Sequence, residues 1–352
     1  MLRYPLDTPG QSLWTSLNEH PYPAKPAGLF LSDAAFRASL HPATPVLLSA
    51  VYLLATTLAN RRKSAPRDMV KASATLQHAV LAHNIFLCLY SAWTAIHVVS
   101  ILAPYFAQGA SAGGLSGFKT ALCTVPTHDA SSTGLLRFIT LFYYSKFYEV
   151  VDSIILVLKG KKVSNLQVYH HSGAMLTMWA GVRYSASPIW LFAAFNGTIH
   201  ACMYAWYAAS SLKLPIPGVL KRGMTTLQIA QLVSGGLVAS LYLWMAYDPQ
   251  AYPRHALPSL GARLTLPEDY YGSKSNATME SLASSTVYRP ILTAEAVRDK
   301  VASSLSASGT APCVSSSGQA FAVALNVAYL VPLITLFVRF YIRSYLAKQK
   351  TQ

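Results

Sequence analysis

The chain has 352 residues, 53% hydrophobic and only 12% charged, with 28 Lys and Arg against 13 Asp and Glu for a formal charge of +15. A soluble domain carries about 25% charged residues, so too little charge is present to wet a surface of this size. Intrinsic disorder is excluded by the apolar content, and nucleic-acid binding fits the charge but not that content. Cys88, Cys123, Cys202 and Cys313 show no paired spacing, which excludes a disulfide scaffold. What remains is an integral membrane protein with basic edges.

Residues 1–41 have scattered charges and no long apolar core, and read as a lumenal N-terminal segment without a signal peptide. Apolar stretches of the length that crosses a bilayer, about 20 residues, follow at 42–60, 76–103, 134–158, 166–184, 186–210, 224–247 and 319–343. The first lies between Pro42 and Asn60, and a turn at Ser185 and Ser187-Pro188 parts the fourth from the fifth. In lipid these stretches must be helices, because a lone helix satisfies its own backbone. The expected fold is an all-α integral membrane bundle of about seven transmembrane helices over 42–343. The loop 248–318 is rich in Ser and Ala, carries no catalytic motif and reads as a poorly ordered insertion.

Basic residues gather on alternate connections. Arg61, Arg62, Lys63, Arg67 and Lys71 fill the first loop, Lys159, Lys161 and Lys162 the third, and Lys213, Lys221 and Arg222 the fifth; Arg343, Lys348 and Lys350 follow the last span. The positive-inside rule places these loops and the C-terminus in the cytosol. Asn276-Ala277-Thr278, a glycosylation sequon, then falls in a lumenal loop. The tail 344–352, with Lys348-Gln349-Lys350, resembles a dilysine signal for retrieval to the endoplasmic reticulum.

Ionisable groups inside a bilayer cost roughly 3 kcal/mol each, so those present need a reason. Four blocks stand out. Lys146, Glu149 and Asp152 are three apart in the third stretch and share a helical stripe, where Lys146 can neutralise either carboxylate. Gln167 precedes the adjacent pair His170-His171 in the fourth, spaced so that one ring is oriented while the other reacts. Asn196, His200, Met203, Tyr204 and Tyr207 form one face of the fifth. Gln228 and Gln231 share a face of the sixth and can bond across helices.

Together these blocks resemble the ELO family of fatty-acid elongases, the condensing enzymes of the endoplasmic reticulum membrane. The matching boxes are Lys146-x-x-Glu149-x-x-Asp152, His170-His171, Asn196-x-x-x-His200-x-x-Met203-Tyr204-x-x-Tyr207 and Thr225-x-x-Gln228-x-x-Gln231. His83-Asn84 is a further, shorter likeness. The family's histidine box usually opens on a third His, where this chain has Gln167; that substitution resembles the Δ9 branch acting on C18 polyunsaturated acyl chains. Trp206 stands where a tyrosine is common, and the loop 248–318 is longer than the family usually carries.

The resemblance implies an acyltransferase, a very-long-chain 3-oxoacyl-CoA synthase. It condenses a long-chain acyl-CoA with malonyl-CoA to 3-ketoacyl-CoA, CO₂ and CoA, inside a helical bundle enclosing an acyl-chain tunnel. Neutral His170 attacks the thioester to give an acyl-imidazole, with Gln167, His171 or the carboxylates holding its tautomer. His200 and Asn196 then stabilise the enolate from malonyl-CoA. Lys146, Glu149, Asp152, Tyr204, Tyr207, Gln228 and Gln231 support this site without a metal or cofactor. Lys159, Lys161, Lys162, Lys221 and Arg222 are the candidate contacts for the CoA phosphates. The implied partners are the bilayer, the two CoA substrates and the reductases and dehydratase of the elongation cycle. A homodimer is allowed, and nucleic acid is not expected.

Two other readings use the same polar residues. A di-iron desaturase or hydroxylase needs several clustered histidine boxes, whereas this chain has one adjacent pair and His78, His83 and His97 spread along one span. A lipid transporter would line a pathway with the stripe and consume no malonyl-CoA.

Overall fold

The computed structural model describes residues 4, 7, 10–61, 73–125, 134–248, 251 and 309–346. Asn276, Arg62, Lys63, Arg67, Lys71, Lys348 and Lys350 lie outside these residues. The helices run in the order α1 (Leu13–Glu19), α2 (Asp33–Leu40), α3 (Ala43–Arg61), α4 (Ala74–Cys123), α5 (Leu135–Tyr148), α6 (Val151–Leu158), α7 (Asn165–Arg183), α8 (Pro188–Ser211), α9 (Gly218–Tyr242) and α10 (Ser317–Tyr341). A π-type turn, Ile342–Leu346, ends the last of them.

Local chemistry sets several of these ends. The Ser164 hydroxyl accepts from the Gln167 amide at the start of α7, and that of Ser316 from the Gln319 amide at the start of α10. Pro188 opens α8, where its missing N–H leaves no bond unmade. Among the described residues, four helices are long and apolar enough to cross a membrane: α3, α4, α9 and α10 extended to Leu346. The other expected stretches coincide with α5 plus α6, with α7 and with α8.

Three features depart from the sequence expectation. α4 continues for 50 residues, past the end expected near 103, and is interrupted by non-helical Gly113 and Gly114, the latter at φ 56°. A Cβ on Gly109 would sit 2.7 Å from that of Ala121, so the chain doubles back tightly there. The Tyr105 hydroxyl donates to the Thr124 carbonyl at 2.9 Å across the same reversal. Gly109, Gly113, Gly114 and Gly117 give the chain the room to reverse.

Cys123 and Cys313 form a disulfide across 190 residues, a separation that carries no motif. Beside it, β1 (Ala246–Tyr247) pairs antiparallel with β2 (Ala311–Pro312). The insertion 248–318 is therefore pinned at both ends.

The N-terminal segment is the third departure, for it docks on the bundle through α1 and α2. Arg183, only 2% exposed, donates to the His20 and Pro21 carbonyls, and its guanidinium lies 3.8 Å from the Tyr22 ring centroid. Asp7 accepts from the Ser317 amide in the first turn of α10. The main core gathers Leu102, Ile139, Tyr143, Met178, Trp179 and Trp190 between α4, α5, α7 and α8. Outward faces carry exposed Leu47, Leu54, Leu89, Leu237 and Val331, an apolar surface of the kind that meets lipid.

Candidate active site

The site begins at the step between α5 and α6. Lys146 and Glu149 are 2% and 1% exposed, and Lys146 Nζ donates to Glu149 Oε1 at 2.7 Å. The same ammonium donates to Asn196 Oδ1 at 3.3 Å and stands 4.1 Å from the Phe142 ring centroid. Two charges buried at this depth persist only when paired and further hydrogen-bonded.

Asp152 does not share that lysine, which corrects the single-stripe expectation. The helix is broken at Glu149-Val150, between α5 and α6, and Asp152 turns toward α4 and α8. Its Oδ1 lies 2.9 Å from His83 Nε2, and its Oδ2 accepts from the Tyr204 hydroxyl at 2.6 Å. His83 Nδ1 lies 3.3 Å from the Tyr148 hydroxyl. The shorter likeness at His83 therefore belongs to the site's supporting frame.

Three imidazoles face the Lys146–Glu149 pair. The His170 ring centroid is 5.4 Å from that of His171 and 6.3 Å from that of His200. His200 Nδ1 is 3.5 Å from Glu149 Oε1. His171 is buried and meets Tyr52 edge-on at 6.1 Å. Glu149 Oε2, His171 Nδ1, His200 Nδ1 and Gln231 Nε2 are buried without a hydrogen-bond partner in the protein. Unmet polar atoms in an interior cost about 1–3 kcal/mol each, and such atoms are available to a polar ligand.

Gln167 does not orient His170. Its amide donates to Ser153 Oγ at 3.0 Å, and Ser153 in turn bonds the Tyr52 hydroxyl at 2.8 Å, tying α7 to α6 and α3. The partner of His170 is Tyr329 on α10, with its hydroxyl 2.9 Å from Nδ1. Sequence reading missed this residue because it lies 159 positions away among 21 tyrosines and in no polar block.

The remaining expected residues divide. Gln231 is buried and lines a cavity of about 200 Å³ with Thr177, Gly181, Phe192, Val238 and Asn326. Gln228 Nε2 donates to Met203 Sδ at 3.5 Å. Tyr207 is 44% exposed and packs edge-on against Tyr204, outside the imidazole cluster. Lys161, Lys162, Lys221 and Arg222 are exposed near helix ends. Arg222 Nε donates to the Tyr341 hydroxyl at 2.8 Å. Partial burial, and then the charge of Lys161, holds the Lys159 ammonium below the ordinary lysine pKa.

Ligand atoms of Glu149, His170 and His200 lie within 4.8 Å of one another, a spacing a metal ion could bridge. Lys146 already neutralises that carboxylate, and His170 Nδ1 is engaged by Tyr329. His97 is not drawn in: it stacks on Phe138 at 4.4 Å.

Comparison with known proteins gives a family match over residues 38–352, to the ELO family described as GNS1/SUR4. Fatty acid elongase 2 of Trypanosoma brucei brucei is 29% identical over 186 residues, 52% of this chain and 65% of that protein. Fatty acid elongase A of Dictyostelium discoideum is 30% identical over 181 residues, 51% of this chain and 61% of that one. Very long chain fatty acid elongase 1 of Homo sapiens is 33% identical over 124 residues, 34% of this chain and 44% of its own. Each of these matches spans less than two thirds of the relative's length.

Proposed function

Because the chain belongs to the ELO (GNS1/SUR4) family, a family of membrane proteins, we propose that it is a fatty-acid elongase of the condensing type. It joins a long-chain acyl-CoA to malonyl-CoA and releases 3-ketoacyl-CoA, CO₂ and CoA. The observation that carries this reading is the cluster of His170, His171 and His200 around the buried Lys146–Glu149 pair.

The chemistry runs through the chain's own groups. The His170 imidazole attacks the thioester carbon; a C–N bond forms, and the C–S pair leaves with CoA. Loss of CO₂ from malonyl-CoA leaves an electron pair on its C2. That enolate lies where His200 and the Lys146-held Asn196 supply polar stabilisation. Attack on the acyl carbon then returns the C–N pair to His170. The acyl tail runs along α7 into the cavity at Thr177 and Gly181, about 10 to 16 Å from His170 at 1.5 Å per helical residue.

The finer substrate is a C18 polyunsaturated acyl-CoA, a reading supported by the resemblance at Gln167. Lys159, Lys161, Lys162, Lys221 and Arg222 receive the CoA phosphates at the cytosolic end. In this reading seven spans cross the endoplasmic reticulum membrane and the C-terminus is cytosolic, beside the reductases and dehydratase that finish the cycle; the basic residues on alternate connections and the dilysine-like tail support it. The Cys123–Cys313 bond supports a lumenal position for that end, since disulfides persist in oxidising compartments.

Microsomes expressing the protein, given labelled malonyl-CoA and a panel of C16–C20 acyl-CoAs, test the reading by product length. Products two carbons longer are expected, with C18 polyunsaturates preferred and with all product lost in His170→Ala. No incorporation of label from malonyl-CoA overturns the condensing reaction; a different preferred chain overturns only the substrate.

A further inference from the structure

We propose that Tyr329 is the positioning residue that fixes the tautomer of His170 and thereby makes Nε2 the acyl-accepting nitrogen. This rests on the reading of His170 as nucleophile and assigns a role to a residue outside the four polar blocks.

The argument is a proton count. The Tyr329 hydroxyl oxygen lies 2.9 Å from His170 Nδ1 and 3.1 Å from the His170 backbone carbonyl oxygen. A phenol has one proton to give. Given to Nδ1, it leaves two oxygens facing each other at 3.1 Å with no hydrogen between them. Given to the carbonyl, it leaves the phenol oxygen to accept from Nδ1–H, and both contacts become hydrogen bonds. The second arrangement satisfies every atom, so the proton of neutral His170 resides on Nδ1 and the lone pair on Nε2.

Packing holds the phenol in place. Tyr329 is 8% exposed, and Tyr169 stacks on it at 5.5 Å with 20° between the rings. The Tyr169 hydroxyl donates to the Tyr329 carbonyl at 3.2 Å. A Cβ at position 173 would lie 2.2 Å from Tyr329 Cε2, so only glycine one turn after His170 admits the ring.

This tautomer shapes the transfer. Nε2 attacks, the C–S pair leaves as CoA thiolate and takes its proton from water at the cytosolic mouth. The acylated ring keeps Nδ1–H against the phenol oxygen and is cationic, a better acyl donor than a neutral acyl-imidazole. When the enolate takes the acyl group, the C–N pair returns to Nε2 and the starting tautomer is restored. No proton leaves the ring during the cycle.

The test is single-turnover acylation of the full-length protein in detergent, using labelled acyl-CoA without malonyl-CoA and mapping the label to His170. Tyr329→Phe keeps the ring and deletes the hydroxyl. Its acylation rate is expected to fall roughly 10- to 100-fold, the scale of losing an orienting partner of a reactive histidine, with KM for acyl-CoA unchanged. Tyr242→Phe deletes another buried bond from tyrosine to a carbonyl, that to Leu122, and is the matched control expected to keep its rate. A Tyr329→Phe protein that acylates at the wild-type rate overturns the proposal. So does one that slows no more than the Tyr242→Phe control, or only through a raised KM. Wild-type protein that carries no label on His170 overturns the nucleophile reading and this proposal with it, a result distinguishable from the others.

Discussion

Lys146 and Glu149 are a buried pair in which each charge exists because of the other. Removing one partner from such a pair costs about 3–5 kcal/mol, because the survivor is left uncompensated. Lys146→Met is therefore expected to lower the thermal unfolding midpoint in detergent sharply. Glu149→Gln with Lys146→Met is expected to recover part of the loss without restoring activity. This pair was legible in the sequence, since three-residue spacing on a helix brings side chains together. The partners of Asp152 were not, because His83 and Tyr204 reach it from other helices, 69 and 52 positions away. Local spacing speaks for contacts within an element, and the remaining contacts wait on packing. Gln167 shows the same limit: its place in the histidine box is plain, but its bond to Ser153 depends on where α6 lies.

At the scale of elements, α7 carries His170 and His171 and α10 brings Tyr329 against them. Gly173 lies under the Tyr329 ring, which a Cβ there would meet at 2.2 Å. Gly173→Ala must push the Tyr329 ring aside, and overpacking of this kind costs about 1–3 kcal/mol. The expected outcome is a lower unfolding temperature together with slower condensation, measured by scanning fluorimetry and product assay. Helix existence was readable from apolar stretches, because the bilayer requires length and composition at once. The reversal of α4 at Gly113-Gly114 was not read, since the returning segment 115–123 is too short to register as a span. The docked helices α1 and α2 were unreadable for the opposite reason. Their residues are mixed in character, and the contacts come from elements far along the chain: Trp179 and Tyr143 donate to the Leu40 and Ser39 carbonyls of α2, and Arg183 to the His20 and Pro21 carbonyls between the two helices.

At the scale of the whole molecule, sparse charge does two jobs that composition alone leaves merged. Basic residues collect at helix ends, while Glu149 and Asp152 inside the bundle gather the buried lysine, histidine and tyrosine partners of the candidate site. The Cys123–Cys313 bond adds a property that neither composition nor helix count suggests. It makes the stretch from 123 to 313 a covalent ring that contains α5 through α9, and so His170, His200 and the Lys146–Glu149 pair. A chain cut once anywhere from 249 to 308 therefore remains one molecule, its two pieces tethered at Cys123 and Cys313. A protease site inserted there is expected to yield a single band without reductant, two bands with it, and undiminished condensation in the unreduced sample. The bond thus makes backbone continuity through the insertion dispensable: Tyr329 stays tied to the half that bears His170 whether or not the thread between them is whole.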